Sequence, residues 1–151
     1  MEPIKFWRIM DRGVKLPYGE FSNFARYSFT VNGVKYPTSE HYYQSKKFLD
    51  EENQKDVIAC ITPGEAAEMG RDPSRPLRKD WEEVKDDIMR KALLLKFQAH
   101  PKLVESLLST GDRVLQEDSP YDFYWGIGRD GTGKNMLGVL LMELRDKLRK
   151  E

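Results

Sequence analysis

The pattern of apolar and polar residues predicts a chain built mostly of helices. The longest periodic stretch runs from Asp80 to Gln98, where apolar side chains recur every three or four residues: Trp81, Val84, Ile88, Ala92 and Leu95. A leucine stripe near the carboxyl end has the same spacing: Leu137, Leu140, Leu141, Leu144 and Leu148. Shorter helices are predicted over Ser39 to Leu49, Glu51 to Cys60, Gly64 to Met69 (with Gly70 as C-cap) and Leu103 to Leu108.

Short segments with β-prone residues predict a small amount of sheet. Asn32-Gly33 lies between residues 28–31 and 34–36, and both residues suit the positive φ angles of a type I′ hairpin turn. Another strand is predicted at 114–116, followed by a loop from Ser119 to Lys134. Because strands and helices do not alternate, the pattern does not favour a parallel sheet. We expect an α+β fold, mostly helical, with a small antiparallel β element, in a single domain over residues 1–151.

Composition and charge narrow the classes of function. The 25 basic residues balance the 25 acidic ones in this chain of 151, which argues against nonspecific binding to nucleic acid or anionic membranes, although a local basic patch stays open. No segment approaches the ~20 apolar residues of a membrane span. The single cysteine, Cys60, is typical of a reducing compartment. We expect a cytoplasmic protein without membrane contact, and the sequence makes no prediction of its oligomeric state.

The segment from Gly128 to Lys134 has the form G-x-x-x-x-G-K of a phosphate-binding loop, but Asn135 follows it. A nucleotide triphosphatase needs Ser or Thr there to bind magnesium, and a buried strand directly before the first glycine. Both are missing, so we do not expect a nucleotide triphosphatase. A glycine-rich loop that enters a helix can still bind a single phosphate near Lys134, and the alternative is a plain flexible loop with a helix cap.

A second candidate is the polar stripe of the helix that begins near Ser39. Glu40, Tyr43 or Gln44, and Lys47 follow one another at helical spacing, so they share one face. If that face lines a cleft, Glu40 is a candidate acid, base or cation stabiliser and Lys47 a candidate anion holder; otherwise both are solvated charges. His41 has no second ligand at metal-binding spacing, so no metal site is predicted.

A third candidate is the run from Asp122 to Trp125, where three aromatic rings follow a carboxylate. Rings stack on planar bases and a carboxylate can meet sugar hydroxyls or positive charge, whereas the alternative is that the rings anchor a long loop. Arg71, Arg75 and Arg78 either grip phosphate or pair with the acidic surface.

Six segments of the chain, in this order, resemble the NADAR family, and within it the YbiA-like N-glycosidases. They are GEFSNF (19–24), YPTSEHYYQ (36–44), MGR (69–71), RKDW (78–81), YWG (124–126) and NMLG through LLM (135–142). The resemblance implies hydrolysis of an N-glycosidic bond without a cofactor or metal. Its substrates would be ribosylamino-pyrimidine phosphates, early intermediates of riboflavin synthesis, which give ribose 5-phosphate and a free base. Other members remove ADP-ribose from guanine in nucleic acid, which is the alternative substrate class; a noncatalytic nucleotide-binding module is a more distant alternative.

The resemblance also implies roles for individual residues. Glu40 would stabilise the cation or orient water, Asp122 would hold the ribose or share the acid–base role, and Lys47 would position Glu40 or meet an anionic group. Trp125 would stack on the base. Asn23, Arg71 and Trp125 are matched to substrate binding. Tyr43, Lys134 and Asn135 are further candidates for it, and Lys134 is proposed from the glycine-rich loop rather than from the resemblance.

Overall fold

The computed structural model describes all 151 residues, Met1 to Glu151. Its strands, in chain order, are β1 (Ile4–Phe6), β2 (Met10–Asp11), β3 (Val14–Lys15), β4 (Phe29–Val31), β5 (Val34–Tyr36) and β6 (Leu115–Glu117). Its helices are α1 (Ser39–Ser45), α2 (Glu51–Ile58), α3 (Pro63–Gly70), α4 (Trp81–Ala99), α5 (Pro101–Ser109) and α6 (Met136–Arg149), and residues Gly19–Phe21 form a 3₁₀ helix. The predicted α+β, mostly helical fold is confirmed. No helix has the length and apolar character that a membrane span requires.

The chain folds into two compact units, and the first combines Met1–Ala25 with His100–Glu151. Strands β1 and β6 pair in parallel, with Ile4 opposite Leu115. Helix α6 packs on β6, and α5 packs on α6. The backbones of α6 and β6 approach closely at Gly138, where a Cβ atom would overlap the carbonyl oxygen of Leu115. The leucine stripe of α6 is thereby buried against the strand, with Leu137, Leu140 and Leu141 nearly inaccessible.

The parallel pairing of β1 with β6 corrects the expectation that the sheet would be antiparallel only. The other two pairs, β2–β3 and β4–β5, are antiparallel hairpins. A parallel partner needs a long connection, and here the connection runs from Phe6 to Leu115 through most of the chain. Local alternation of strand and helix cannot indicate such a distant pairing. Whether residues 1–151 form a single domain stays a prediction.

The second unit, Arg26–Ala99, is built around α1. Helix α1 packs against α2, α3 and α4, and every residue from Ser39 to Ser45 is buried. The β4–β5 hairpin packs beside it, and its turn residues Asn32 and Gly33 have φ angles of 49° and 82°, as a type I′ turn requires. The hairpin prediction is confirmed. Because α1 contacts each neighbouring helix, its polar side chains are held among buried elements rather than in solvent.

The bounds of α1 and α3 differ from the prediction. Thr38 caps α1 by accepting a hydrogen bond from the amide of His41, and α1 ends at Ser45 rather than Leu49. Phe48 is 1% exposed, and the chain leaves the helix to bury that ring. Helix α3 includes Gly70 and is capped by Arg71 at φ −98°, so the expected C-cap role of Gly70 is wrong.

Candidate active site

Glu40 is the centre of the candidate site in the second unit. Its carboxylate lies in the first turn of α1, is 8% exposed, and accepts a hydrogen bond of 2.6 Å from Nε2 of Gln44 one turn later. The i, i+4 spacing brings the two side chains together. The alternative that Glu40 is a solvated surface charge is thereby excluded, because a buried carboxylate is retained only where other groups compensate its lost hydration.

Lys47 follows α1 and lies on the same stripe. Its Nζ donates to the carbonyl oxygen of Gly70 at 3.3 Å and lies 6.0 Å and 5.7 Å from the ring centroids of Tyr43 and Trp81. Burial lowers the pKa of Lys47, and the Glu40 carboxylate opposes that shift. The structure therefore places a buried carboxylate, an amine and two aromatic rings in one part of this unit.

The two rings beside Lys47 pack against each other, and Arg71, Glu82 and Lys85 also act on its charge. Tyr43 packs edge-on against Trp81, with ring centroids 5.0 Å apart. Arg71 is exposed at the end of α3, and its charge also lowers the pKa of Lys47. Of the residues predicted for the site, Glu40, Tyr43, Lys47 and Arg71 thus come together here.

The neighbouring His41 has a structural role in holding α1. Its Nε2 donates to the carbonyl oxygen of Cys60 at 2.9 Å, and its Nδ1 lies 2.8 Å from the hydroxyl of Thr38. A carbonyl only accepts, so Nε2 carries the proton and Nδ1 accepts from the hydroxyl of Thr38. No group of three or more His, Cys, Asp and Glu side chains is placed to hold a metal ion, and a metal-independent reaction stays a prediction.

Two of the three neighbouring arginines are paired with carboxylates. Arg75 binds Asp56 and Asp72, at 2.9 Å and 3.4 Å. Arg78 binds both carboxylate oxygens of Asp80, at 2.6 Å and 3.0 Å. Arg75 and Arg78 therefore pair with acidic side chains of the surface, which is one of the two alternatives that the sequence left open.

The first unit holds the other predicted residues. The Asp122 carboxylate accepts from the backbone amides of Tyr124 and Trp125 at 2.9 Å and 2.7 Å, through the same oxygen, Oδ1. The half-buried Trp125 ring lies edge-on to Tyr124, with centroids 5.0 Å apart. Nζ of Lys134 lies 5.5 Å from the Tyr124 ring. Asp122 thus fixes the turn that presents Trp125.

Most amides in the second half of the glycine-rich loop are bonded to nearby parts of the chain. Those from Gly131 to Leu137 all donate to oxygens of residues 123–130, for example Gly133 to Ile127 at 2.6 Å and Met136 to Tyr124 at 2.9 Å. A phosphate-binding loop needs its amides directed at the ligand. The residues before Gly128 also form no strand, as expected. The amides from Gly131 to Leu137 are therefore engaged within the fold, and phosphate binding near Lys134 stays a prediction.

The two asparagines of the predicted site are both in this unit. Asn135 joins α6 to β6: its Oδ1 accepts from the amide of Glu117 at 2.9 Å and its Nδ2 donates to the carbonyl of Leu115 at 2.8 Å. Both polar atoms of its side chain are thus engaged with the backbone. Asn23 is 7% exposed, directly after the 3₁₀ helix. A substrate-binding role for either asparagine stays a prediction.

Comparison with known proteins identifies the family of the chain. A family model described as the NADAR domain matches residues 5–149. The chain belongs to the NADAR family. This NADAR protein is 53% identical over 131 residues to N-glycosidase YbiA of Escherichia coli (strain K12), covering 87% of this chain and 82% of that protein.

A plant relative and a solved structure extend the comparison. This NADAR protein is 42% identical over 146 residues to the chloroplastic riboflavin biosynthesis protein PYRR of Zea mays, covering 87% of this chain and 23% of that protein. The NMR structure of the E. coli protein YbiA matches with a TM-score of 0.87 and 48% identity, covering 99% of this chain and 86% of that one. The fold is therefore shared along nearly the whole chain.

Two residues of this NADAR protein contact the site although the sequence does not assign them to it. Gly70 provides a carbonyl to Lys47, and Trp81 supplies a ring over the same amine. Gln44, which bonds Glu40, is already on the polar stripe that helical spacing indicates. Trp81 lies on the apolar stripe of α4 and reads from the sequence as an ordinary core residue. Nothing local to Gly70 indicates its position beside α1.

Proposed function

We propose that this NADAR protein is an N-glycosidase that hydrolyses ribosylamino-pyrimidine phosphates to ribose 5-phosphate and the free base. The observation that carries the proposal is the buried Glu40 carboxylate, held by Gln44 and accompanied by Lys47 in the same unit. The N-glycosidase name of the E. coli relative and the riboflavin biosynthesis name of the maize relative support the reaction and the substrate class.

The chemistry of the bond explains why a buried carboxylate is suited to this reaction. As the N-glycosidic bond breaks, positive charge develops at C1 of the sugar and the departing base gains negative charge. A fixed carboxylate near C1 stabilises that cation more strongly in a buried site than in water. Glu40 is proposed to act in this way and to orient the attacking water, which adds hydroxide to C1 while a proton goes to the leaving base.

The state of the arginines favours a small substrate over a nucleic acid. A nucleic-acid site relies on several cations that are free to contact phosphates. Arg75 and Arg78 are instead bonded to carboxylates of this chain, and the total charge is zero. Arg71 is exposed and suits a single phosphate group. Hydrolysis of ADP-ribosylated guanine is therefore the second candidate.

Lys47 offers a covalent route to the same products. A lysine whose pKa is lowered by burial has a larger neutral fraction, and a neutral amine is a nucleophile. Its nitrogen would bond to C1 as the base leaves with a proton. The sugar ring would then open, with the proton of that nitrogen passing to the ring oxygen, to give an imine, and water would hydrolyse the imine to release the sugar and restore the amine. Borohydride reduces an imine to a stable adduct, so protein mass after borohydride treatment during turnover distinguishes this route from direct attack by water.

Glu40→Gln tests the central role of the carboxylate. The change keeps the size of the side chain and removes its charge, and we expect kcat to fall by about 10²- to 10³-fold on a ribosylamino-pyrimidine phosphate. Glu68→Gln, an exposed glutamate of the same unit, is the matched control and should keep full activity. Parent-like turnover by the Glu40 variant would contradict the assignment.

A mass-spectrometric comparison of two substrates tests the substrate class. The parent protein is incubated with the ribosylamino-pyrimidine phosphate and, separately, with an ADP-ribosylated guanine oligonucleotide, each with and without EDTA. We expect release of base from the small substrate that EDTA leaves unchanged. Release from the oligonucleotide alone would replace the first candidate with the second, and loss of activity in EDTA would contradict a metal-independent reaction.

A further inference from the structure

The amide of Gln44 is held in one orientation by its neighbours. Nε2 donates to Oε2 of Glu40 at 2.6 Å, and Oε1 is buried with no hydrogen-bond partner. A rotated amide would place two acceptor oxygens at that distance, which an ionised carboxylate disfavours. A buried acceptor without a partner costs about 1–3 kcal/mol. The bond from Nε2 of Gln44 to Glu40 is therefore present together with an energetic cost, the buried and unpaired Oε1 of the same amide.

Gly70 is the residue that makes room for this amide. A Cβ atom at position 70 would overlap Oε1 of Gln44 and lie 2.8 Å from its Cδ. The φ angle of Gly70 is not positive, so its backbone conformation does not require glycine. The carbonyl of the same residue accepts from Nζ of Lys47 at 3.3 Å. Gly70 thus lies beside the side chains of both Gln44 and Lys47.

We propose that Gln44 is a positioning residue that aims the Glu40 carboxylate at the reacting carbon, and that Gly70 is required because it leaves space for Gln44. The inference rests on the proposed N-glycosidase reaction and adds residues that need not touch the substrate. Removing the donor takes away a hydrogen bond that orients the carboxylate, and a displacement of about 1 Å in a reacting group can cost about 10²-fold in rate. The loss belongs to kcat, because an aim that matters only in the transition state leaves ground-state binding unchanged.

The test is a double-mutant cycle with steady-state kinetics on the ribosylamino-pyrimidine phosphate. Gln44→Ala and Gly70→Ala are each expected to lower kcat by about 10- to 100-fold and to leave KM within threefold. In the double variant the new methyl group meets no amide, so its kcat should equal that of Gln44→Ala alone. Multiplication of the two losses would show that Gly70 acts independently of Gln44 and would overturn the coupling.

Two variants separate positioning from folding. Gly64→Ala, in the same helix, is the control for Gly70→Ala. A Cβ atom at position 64 meets only the Thr62 hydroxyl, at 3.8 Å, so full activity is expected. Gln44→Met keeps the length of the side chain without its donor, and should retain the parental melting temperature within a few degrees while kcat falls. It serves as the test if Gln44→Ala does not fold.

The outcomes distinguish this inference from the function on which it rests. Parent-like kcat in Gln44→Met, with the parent active, overturns the positioning role alone. A raised KM with unchanged kcat would instead make Gln44 a substrate-binding residue and would also overturn it. Absence of base release by the parent from any ribosylated substrate overturns the proposed function, and the inference with it.

Discussion

The neutral His41 predicts that stability depends on pH in a window set by one side chain. The ring is fully buried and is bonded through Nε2 to the carbonyl of Cys60 and through Nδ1 to the hydroxyl of Thr38. Burial lowers the pKa of His41, the charge of Arg26 adds to the shift, and the bond to Cys60 opposes it. The perturbation is His41→Gln, with His100→Gln as the control at the other histidine.

The sign follows from the protons that each state binds. Below about pH 6.5 the unfolded chain protonates this histidine, whereas the folded protein does so only at lower pH. The unfolded state therefore binds one more proton in that window, and the free energy of unfolding falls as the pH falls, by at most about 1.4 kcal/mol per pH unit. At pH 7.5 the glutamine variant should be less stable by about 2–4 kcal/mol, because two buried hydrogen bonds and the ring packing are lost.

Urea unfolding of the parent and both variants from pH 7.5 to pH 5 measures the effect. Other titrating groups are common to the proteins, so they cancel in the difference between parent and variant. The stability advantage of the parent over His41→Gln should shrink as the pH falls below 6.5. A constant difference between parent and His41→Gln over this range would refute a neutral, buried His41.

Two further predictions concern stability. Thr62→Ala should lower the free energy of unfolding by about 1 kcal/mol, because it removes the cap at the amide of Glu65. Thr38→Ala should lower it by about 2–3 kcal/mol, because it removes a cap and also the buried bond to the His41 ring. Equal losses in urea unfolding would contradict this order. Asn135→Ala should cost about 2–4 kcal/mol, because it frees two backbone groups of β6 and places alanine at a φ of 55°. A melting temperature equal to that of the parent would contradict the structural role of Asn135, and a KM raised more than threefold in the folded variant would support substrate contact as well.

Local signals predict the elements whose causes lie within a few residues. The apolar stripe predicts α4 to within one residue at either end, Trp81–Ala99 against 80–98, because its spacing is set by helix geometry alone. Asn32-Gly33 predicts its hairpin because few other dipeptides tolerate both φ angles. The end of α1 is different, because it depends on burying Phe48 against Val57 and Ala66, which come from α2 and α3.

The candidate site follows the same division. Helical spacing predicts that Glu40, Gln44 and Lys47 share one face. The structure joins Glu40 to Gln44 by a hydrogen bond, whereas Lys47 lies beyond the end of α1 at Ser45. Gly70 and Trp81 come from α3 and α4, so no pattern around Glu40 indicates them. In the glycine-rich loop a local motif suggests phosphate binding, whereas the fold engages the amides from Gly131 to Leu137 in hydrogen bonds to the chain.

The pairing of β1 with β6 affects the order in which the protein can fold during synthesis. The Arg26–Ala99 unit is one continuous stretch, whereas the first unit needs both the opening 25 residues and the closing segment from His100 onward. The ribosome makes the amino end first, so β1 has no partner until residues 115–117 emerge, and α6 emerges later still. Pulse-labelled nascent chains should therefore resist protease first within residues 26–99, while β1 stays sensitive until residues 115–117 have been made.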